Sequence, residues 1–179
     1  MENDAVDCIA FWTKNPAPML PYLKEIEEMG YKYYFQVSVK LTDGSSLTGL
    51  IPGEPELQGK DMENLSIFDC ARSWLDAYFS GNPIPVDFPL CPAGTDFQRR
   101  VWALLPAIPY GQTLSYGAIA RQLGENMSAQ AVGQAVGRNP VAIVIPCHRV
   151  VGADGSLVGF GEGLYLKRRL LELERVLLP

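Results

Sequence analysis

The sequence predicts a chain in two parts. The first half reads as a β-hairpin and an amphipathic helix, and the second as mainly α with a helix-turn-helix. Three observations predict this. Branched and aromatic residues flank Asp43-Gly44 in "KYYFQVSVKLTDGSSLTGLI", residues 32–51, which is a strong short-range hairpin signal. Four prolines crowd "PIPVDFPLCPAGT", residues 83–95, a stretch that neither a helix interior nor a central strand tolerates. Two short helix patterns, "YGAIARQLG" over 116–124 and "SAQAVGQAVG" over 128–137, then lie on either side of the polar turn "ENM".

Taken in order, "NLSIFDCARSWLDAYFSGNP", residues 64–83, sets Ile67, Ala71, Trp74, Leu75 and Tyr78 on one helical face and stops at Gly81. The proline-rich stretch reads as a linker and places the domain boundary. An N-terminal domain is expected over residues 1–91 and a C-terminal domain over 92–179. The second domain opens with a helix over residues 96–108, capped by Thr95 or Asp96. Pro109 and Gly111 turn the chain in "PYGQTLS". The helix over 116–124 ends at Gly124, and the one over 128–137 is capped by Ser128 and made almost wholly of small side chains. Gly133 and Gly137 each cost about 1 kcal/mol against alanine in a helix interior. The missing bulk serves either close packing on a neighbouring element or close approach to a ligand surface such as the minor groove of DNA. The pattern alone leaves both open.

Composition narrows the function. Of 179 residues, 47% are hydrophobic and 20% charged, which is ordinary globular usage. No apolar run approaches the roughly 20 residues of a membrane span, and the acidic start "MENDAVDC" lacks the basic flank of a signal peptide. A soluble, cytoplasmic protein is expected. Cys8, Cys70, Cys91 and Cys147 are widely spaced and accompany a single histidine, so neither a disulfide framework nor a metal site is expected. Cys8, Cys70 and Cys91 read as small inert hydrophobes. The net charge is −5 but uneven. Residues 1–94 hold 6 basic and 14 acidic side chains, a balance of −8, against 9 and 6, a balance of +3, over residues 95–179. A polyanion, if bound, docks on the second half.

Cys147 stands directly before the chain's only histidine in "VIPCHRVVGADGSLVGFGEG", residues 144–163. A nucleophilic cysteine needs its thiolate, and therefore a base or a positive field beside it. Adjacent side chains diverge in extended chain, so an irregular turn after Pro146 is required to bring His148 into play. Arg149 adds positive charge nearby. A carboxylate to orient the imidazole is sought on the terminal helix "LYLKRRLLELE", where Glu172 and Glu174 are candidates.

The stretch "IPCHRVVGADGSLVGFGEGLYLKRRLLELE", with "AVGQAVGRNP", "IPYGQTLSYGAIA" and "PAGTDFQRRVW" before it, resembles the O-6-alkylguanine-DNA alkyltransferases, also called methylated-DNA–protein-cysteine methyltransferases. The resemblance covers residues 92–174 in order and spacing. It implies an α/β N-terminal domain with a small antiparallel sheet and a helix-turn-helix C-terminal domain of winged-helix character. It implies direct DNA repair without a cofactor by a monomer. Duplex bearing O-6-alkylguanine, with O-4-alkylthymine as a second candidate, is bound in the minor groove and the damaged base is flipped out. Its alkyl group then passes irreversibly to a cysteine. Flipping costs a few kcal/mol and is unavoidable for a base buried in a duplex.

By the same resemblance, Cys147 is the acceptor, His148 the base acting through a water, Glu174 its orienting carboxylate and Asn139 the brace of the active-site turn. Tyr116 donates to the flipped guanine and helps rotate its phosphate. The carbonyls of Val150 and Cys147 meet the guanine amino group, the Gly161 N–H faces the alkylated oxygen, and Phe160 lines the pocket. Ser128, Ala129, Gln130, Ala131, Gly133 and Arg138 form the DNA-binding face.

Three departures from the family stand out. Gln130 occupies the position of an arginine that fills the gap left by the flipped base, and it lacks that residue's cation and stacking fork. Glu162 replaces a glycine near the pocket rim. The single histidine excludes the histidine-containing zinc site of some relatives. Two rival readings are a non-repairing binder of alkylated bases, which Cys147 argues against, and a Cys-His hydrolase with repeated turnover, which no residue of 92–174 requires.

Overall fold

The computed structural model describes residues 6–11, 35–40, 46–52, 66–124, 127–161 and 163–178. The chain divides into two units, Met1–Pro92 and Ala93–Pro179.

In the first unit, strands β1 (Val6–Phe11), β2 (Phe35–Lys40) and β3 (Leu47–Pro52) form one antiparallel sheet in that order. The expected hairpin is β2 paired with β3, in a register running from Phe35 opposite Pro52 and shifting at Ser38/Val39. Its Asp43-Gly44 turn lies outside the described residues. Strand β1 was not expected, because "VDCIAF" follows an acidic start that draws attention only to its charge. Helix α1 (Ser66–Phe79) buries the expected face of Ile67, Ala71, Trp74, Leu75 and Tyr78. Trp74 and Tyr78, one helical turn apart, stack with ring centroids 5.4 Å apart.

The proline-rich stretch is not a free linker. Leu47 N–H donates to the Pro89 carbonyl and Cys91 N–H to the Leu47 carbonyl, each at 2.8 Å, so the segment runs beside the start of β3. Trp74 Nε1 donates to the Ile84 carbonyl at 3.0 Å. The prolines supply no donor, but their neighbours and their own carbonyls still pair. A second correction concerns Cys70 and Cys91, which are exposed free thiols and not buried hydrophobes.

The second unit begins at helix α2 (Asp96–Leu104). Thr95 is its cap: the hydroxyl accepts from Gln98 N–H at 3.3 Å while Gln98 Oε1 accepts from Thr95 N–H at 2.8 Å. The helix stops earlier than the expected residue 108. Pro106 has no N–H to continue the ladder, and the chain tightens into one 3-10 turn over Leu105–Ala107. Helices α3 (Tyr116–Leu123, capped by Ser115) and α4 (Ala129–Val136, capped by Ser128) follow and pack together. Strand β4 (Leu114–Ser115) pairs in parallel with β5 (Val150–Val151), and helix α5 (Leu164–Leu173) ends the unit.

Val101, Trp102, Leu105, Ile119, Val132, Val136, Leu170 and Leu171 are buried in this unit. Trp102 ties α2 to α4 by donating from Nε1 to the Ala135 carbonyl at 2.8 Å. A Cβ on Gly94 would sit 2.5 Å from its ring, so only glycine admits this packing. Among the described residues no helix is long and apolar enough to cross a membrane.

Candidate active site

Two tight turns in succession present Cys147. Val144 N–H donates to the Ala142 carbonyl at 2.8 Å around Ile143, whose φ of 69° is rare for a β-branched residue. Such conformations cost of order 1–3 kcal/mol and persist only where the surroundings over-determine them. Cys147 N–H then donates to the Ile145 carbonyl at 2.8 Å around Pro146, at φ −80° and ψ 64°. Residues 147–149 continue as a 3-10 turn, with residues 141–150 all buried.

Asn139 supplies the over-determination. Its Oδ1 accepts from Val141 N–H at 3.0 Å, and Nδ2 faces the carbonyls of Ile145 at 2.8 Å and Val141 at 3.3 Å. The same Nδ2 lies 3.2 Å from Cys147 Sγ. A donor aimed at sulfur favours thiolate over thiol. Cys147 is 3% exposed, so this donor acts in a poorly solvated site.

His148, on the same 3-10 turn, is fully buried, with Nε2 2.7 Å from Glu174 Oε1. Glu174 caps the C-terminus of α5. Its carboxylate also accepts from Arg149 Nε at 2.9 Å to Oε2, from Arg149 Nη2 at 3.0 Å to Oε1, and from Gly111 N–H at 3.1 Å to Oε2. Gly111 reaches it at φ +78°, with a Cβ there lying 3.0 Å from the Glu174 carbonyl oxygen.

Burial alone would push the Glu174 carboxyl up, but His148 and Arg149 overcome it and hold it at about 2. An ionised carboxylate only accepts, so Nε2 of His148 carries the hydrogen and Nδ1 the lone pair. Burial pushes the His148 imidazolium down and Glu174 raises it. Arg149 and Lys167 lower it again, and the net result lies below the ordinary 6.5. Glu172 is excluded as the orienting group because it pairs with Arg169 at 2.8 Å.

A second buried cluster adjoins the first. Tyr116 opens α3, and its hydroxyl donates to the carbonyls of Val158 and Gly159 at 2.8 and 2.9 Å. Lys167, fully buried on α5, donates to the Val158 carbonyl at 2.7 Å and to the Tyr116 hydroxyl at 3.3 Å. Its ammonium lies 5.6 Å from the Tyr116 ring centroid and 6.0 Å from that of Phe160. Burial pulls Lys167 down to about 8 against an upward push from Cys147, and burial together with Cys147 pushes Tyr116 up to about 12. Both therefore remain hydrogen-bond donors at neutral pH. Sequence reasoning missed Lys167. Its spacing carried the signal, because Lys167, Leu170, Leu171 and Glu174 fall at i, i+3, i+4 and i+7 on one buried helix face.

The other residues singled out from the sequence separate into two places. Val150 is buried in β5, and Gly161 packs so closely that a Cβ would lie 3.1 Å from the Gly137 carbonyl. Ser128, Ala129, Gln130 and Arg138 are exposed, Ala131 and Gly133 half-buried, while Val132, Ala135 and Val136 form the inner face of α4. A methyl on Gly133 would meet the Tyr116 ring at 3.6 Å, an ordinary contact. Packing therefore does not demand that glycine.

Residues 96–176 match the family described as 6-O-methylguanine DNA methyltransferase, DNA binding domain, and residues 1–66 match a domain of unknown function, DUF1848. Over 112 residues the chain is 54% identical to the methylated-DNA–protein-cysteine methyltransferase of Mycobacterium tuberculosis, covering 63% of this chain and 68% of that protein. The chain belongs to the methylated-DNA–protein-cysteine methyltransferase family. The methyltransferase of Methanosarcina acetivorans is 40% identical over 160 residues, 88% of this chain and 94% of that protein. The crystal structure of Mycobacterium tuberculosis OGT in complex with DNA is similar with a TM-score of 0.66 and 45% identity. That similarity covers 78% of this chain and 87% of the other.

The cluster couples stability to acid in one direction. Glu174 is held below its ordinary 4.5, so its stabilisation is complete above that value and is lost as pH falls toward about 2. His148 is buried with its imidazolium disfavoured, so the unfolded chain takes up that proton first and stability begins to fall below about 6.5. Thermal unfolding followed by circular dichroism is expected to show a midpoint that drops from about pH 6.5 and falls further below about 4.5. A midpoint indifferent to pH across that range would contradict the assignment.

Proposed function

We propose that this chain repairs duplex DNA by moving the alkyl group of O-6-alkylguanine irreversibly onto Cys147 Sγ, one group per protein. The observation that carries this reading is the buried cluster in which Asn139 donates toward Sγ while Glu174 orients the adjacent His148. His148 Nδ1 takes the thiol proton through a water. The thiolate attacks the alkyl carbon in line, an S–C bond forms and the C–O bond breaks. The electron pair left on the guanine oxygen is neutralised by that proton, and guanine and a protein thioether remain. The thioether has no chemistry by which this site could release it, so turnover stops at one.

The exposed face of α4 serves as the minor-groove surface of a helix-turn-helix with winged-helix-like character. Ser128, Ala129, Gln130, Ala131 and Gly133 keep it slim enough for a groove about 6 Å wide, and Arg138 supplies phosphate contact. Gly133 supports this use, since its own packing leaves room for a methyl group. Once a base is flipped, Tyr116 turns its hydroxyl from the Val158 and Gly159 carbonyls toward the guanine. The carbonyls of Cys147 and Val150 accept from the guanine amino group, Gly161 N–H faces the alkylated oxygen, and Phe160 closes the pocket. Gln130, exposed on the first turn of α4, fills the gap in the base stack.

Incubation with duplex holding one O-6-methylguanine, followed by trypsin, tests the transfer directly. The peptide Asn139–Arg149, whose only cysteine is Cys147, is expected to gain one CH₂ and no more. An unshifted peptide from protein that still retains the duplex would instead establish a non-repairing lesion binder. A second test uses Gln130→Arg. With the side chain exposed, stability is expected to change by less than about 0.5 kcal/mol, while affinity for lesion-bearing duplex rises in a fluorescence-anisotropy titration. Unchanged affinity and unchanged repair rate would remove Gln130 from the intercalating role.

A further inference from the structure

Arg149 has an environment that neither a phosphate contact nor simple packing accounts for. It is 8% exposed, and its fork closes on the two oxygens of Glu174 while Nη1 donates to the Ile108 carbonyl at 2.7 Å. The guanidinium also lies 5.7 Å from the Tyr110 ring centroid. Its charge is therefore spent on the same carboxylate that orients His148, 2.7 Å from the imidazole.

A buried carboxylate that close to a histidine, with no other countercharge, stabilises the imidazolium. An imidazolium has no lone pair and cannot accept a proton. We propose that Arg149 is a positioning residue that balances the Glu174 charge, so that His148 rests as a neutral imidazole able to take the proton of Cys147. The inference rests on reading Cys147 as the alkyl acceptor and adds to it the device that keeps its base ready.

Charged groups act on His148 from two elements. Lys167 on α5 and Glu174 at its end are joined by Arg149 of the 3-10 turn. Tyr110, in the turn before β4, faces Arg149 and Glu174. Lys167 acts in the same sense as Arg149, but its partners are Tyr116 and carbonyls and not the Glu174 carboxylate. Arg149 is the cation whose bonds to the carboxylate that His148 touches are seen here.

His148 is the only histidine in the chain, so its ring resonances are a clean readout in the full-length protein without DNA. In the wild type the ring is expected to titrate below its ordinary value. Arg149→Gln keeps planar amide donors but loses the charge, and it is expected to move the midpoint up by about one pH unit, a tenfold gain in protonated fraction. Arg149→Lys keeps the charge and is expected to stay near the wild type. A merely structural Arg149 would lower thermal stability in both variants and leave the midpoint in place. That outcome overturns the proposal, as does a wild-type midpoint above about pH 7, which can be read even where Arg149→Gln does not fold. Because the titration needs no substrate, its result is separate from success or failure of alkyl transfer.

Discussion

The second unit is organised around one buried carboxylate. Glu174 stands at the end of α5 and accepts from the 3-10 turn through His148 and Arg149, and from the turn before β4 through Gly111. An unpaired carboxylate in such a place would cost several kcal/mol, and removing one partner from a buried pair typically costs about 3–5 kcal/mol. With every lone pair engaged, the same charge becomes a fixed point to which three segments distant in sequence are tied. The geometry of the imidazole and the path of the chain around the thiol both follow from it.

Asn139 does on the backbone side what Glu174 does on the side-chain side. The chain from Val141 to Cys147 makes two sharp reversals, one with a strained φ at Ile143, and a single carboxamide bonds to both ends of the first reversal and to the sulfur beyond the second. Strain of this kind survives only where it is held. The turn is thus held by its own hydrogen bonds without any ligand, the kind of arrangement that electrostatic preorganisation around a developing charge requires. Lys167 and Tyr116 hold the Val158–Gly159 backbone in the same way, through donors that stay protonated near neutral pH.

Much of this was legible in the sequence, and the reasons for the exceptions are physical. Local signals were sufficient for α1, α3 and α4: an apolar face and Gly81 for α1, Gly124 after α3, and the Ser128 cap with its run of small side chains for α4. The hairpin of β2 and β3 followed from Asp43-Gly44 between branched residues. Strand β1 escaped because six residues without a flanking turn motif carry little local information. Helix α2 ended early at Pro106, a breaker that an amphipathic pattern conceals. In the site, Cys147 and His148 were visible as sequence neighbours, and the structure sets Asn139 against the Cys147 sulfur and Glu174 against the His148 ring. The bonding of Arg149 was not legible, since nothing in "CHRVV" says which way a guanidinium points. The choice of Glu174 over Glu172 could have been read from the stripe it shares with Lys167, Leu170 and Leu171. A charge on an apolar stripe is an exception that asks for a partner.

The central claim is that Glu174 orients the base that activates Cys147, beyond holding the fold together. Its most direct test is the single-turnover rate of methyl transfer to Cys147 in Glu174→Gln, measured below that variant's own unfolding midpoint. The substitution keeps the shape and removes the charge. A folded variant that transfers about 10²-fold more slowly or worse would agree with loss of an oriented general base. A folded variant that transfers at the wild-type rate would contradict the account and leave Glu174 as a structural anchor alone.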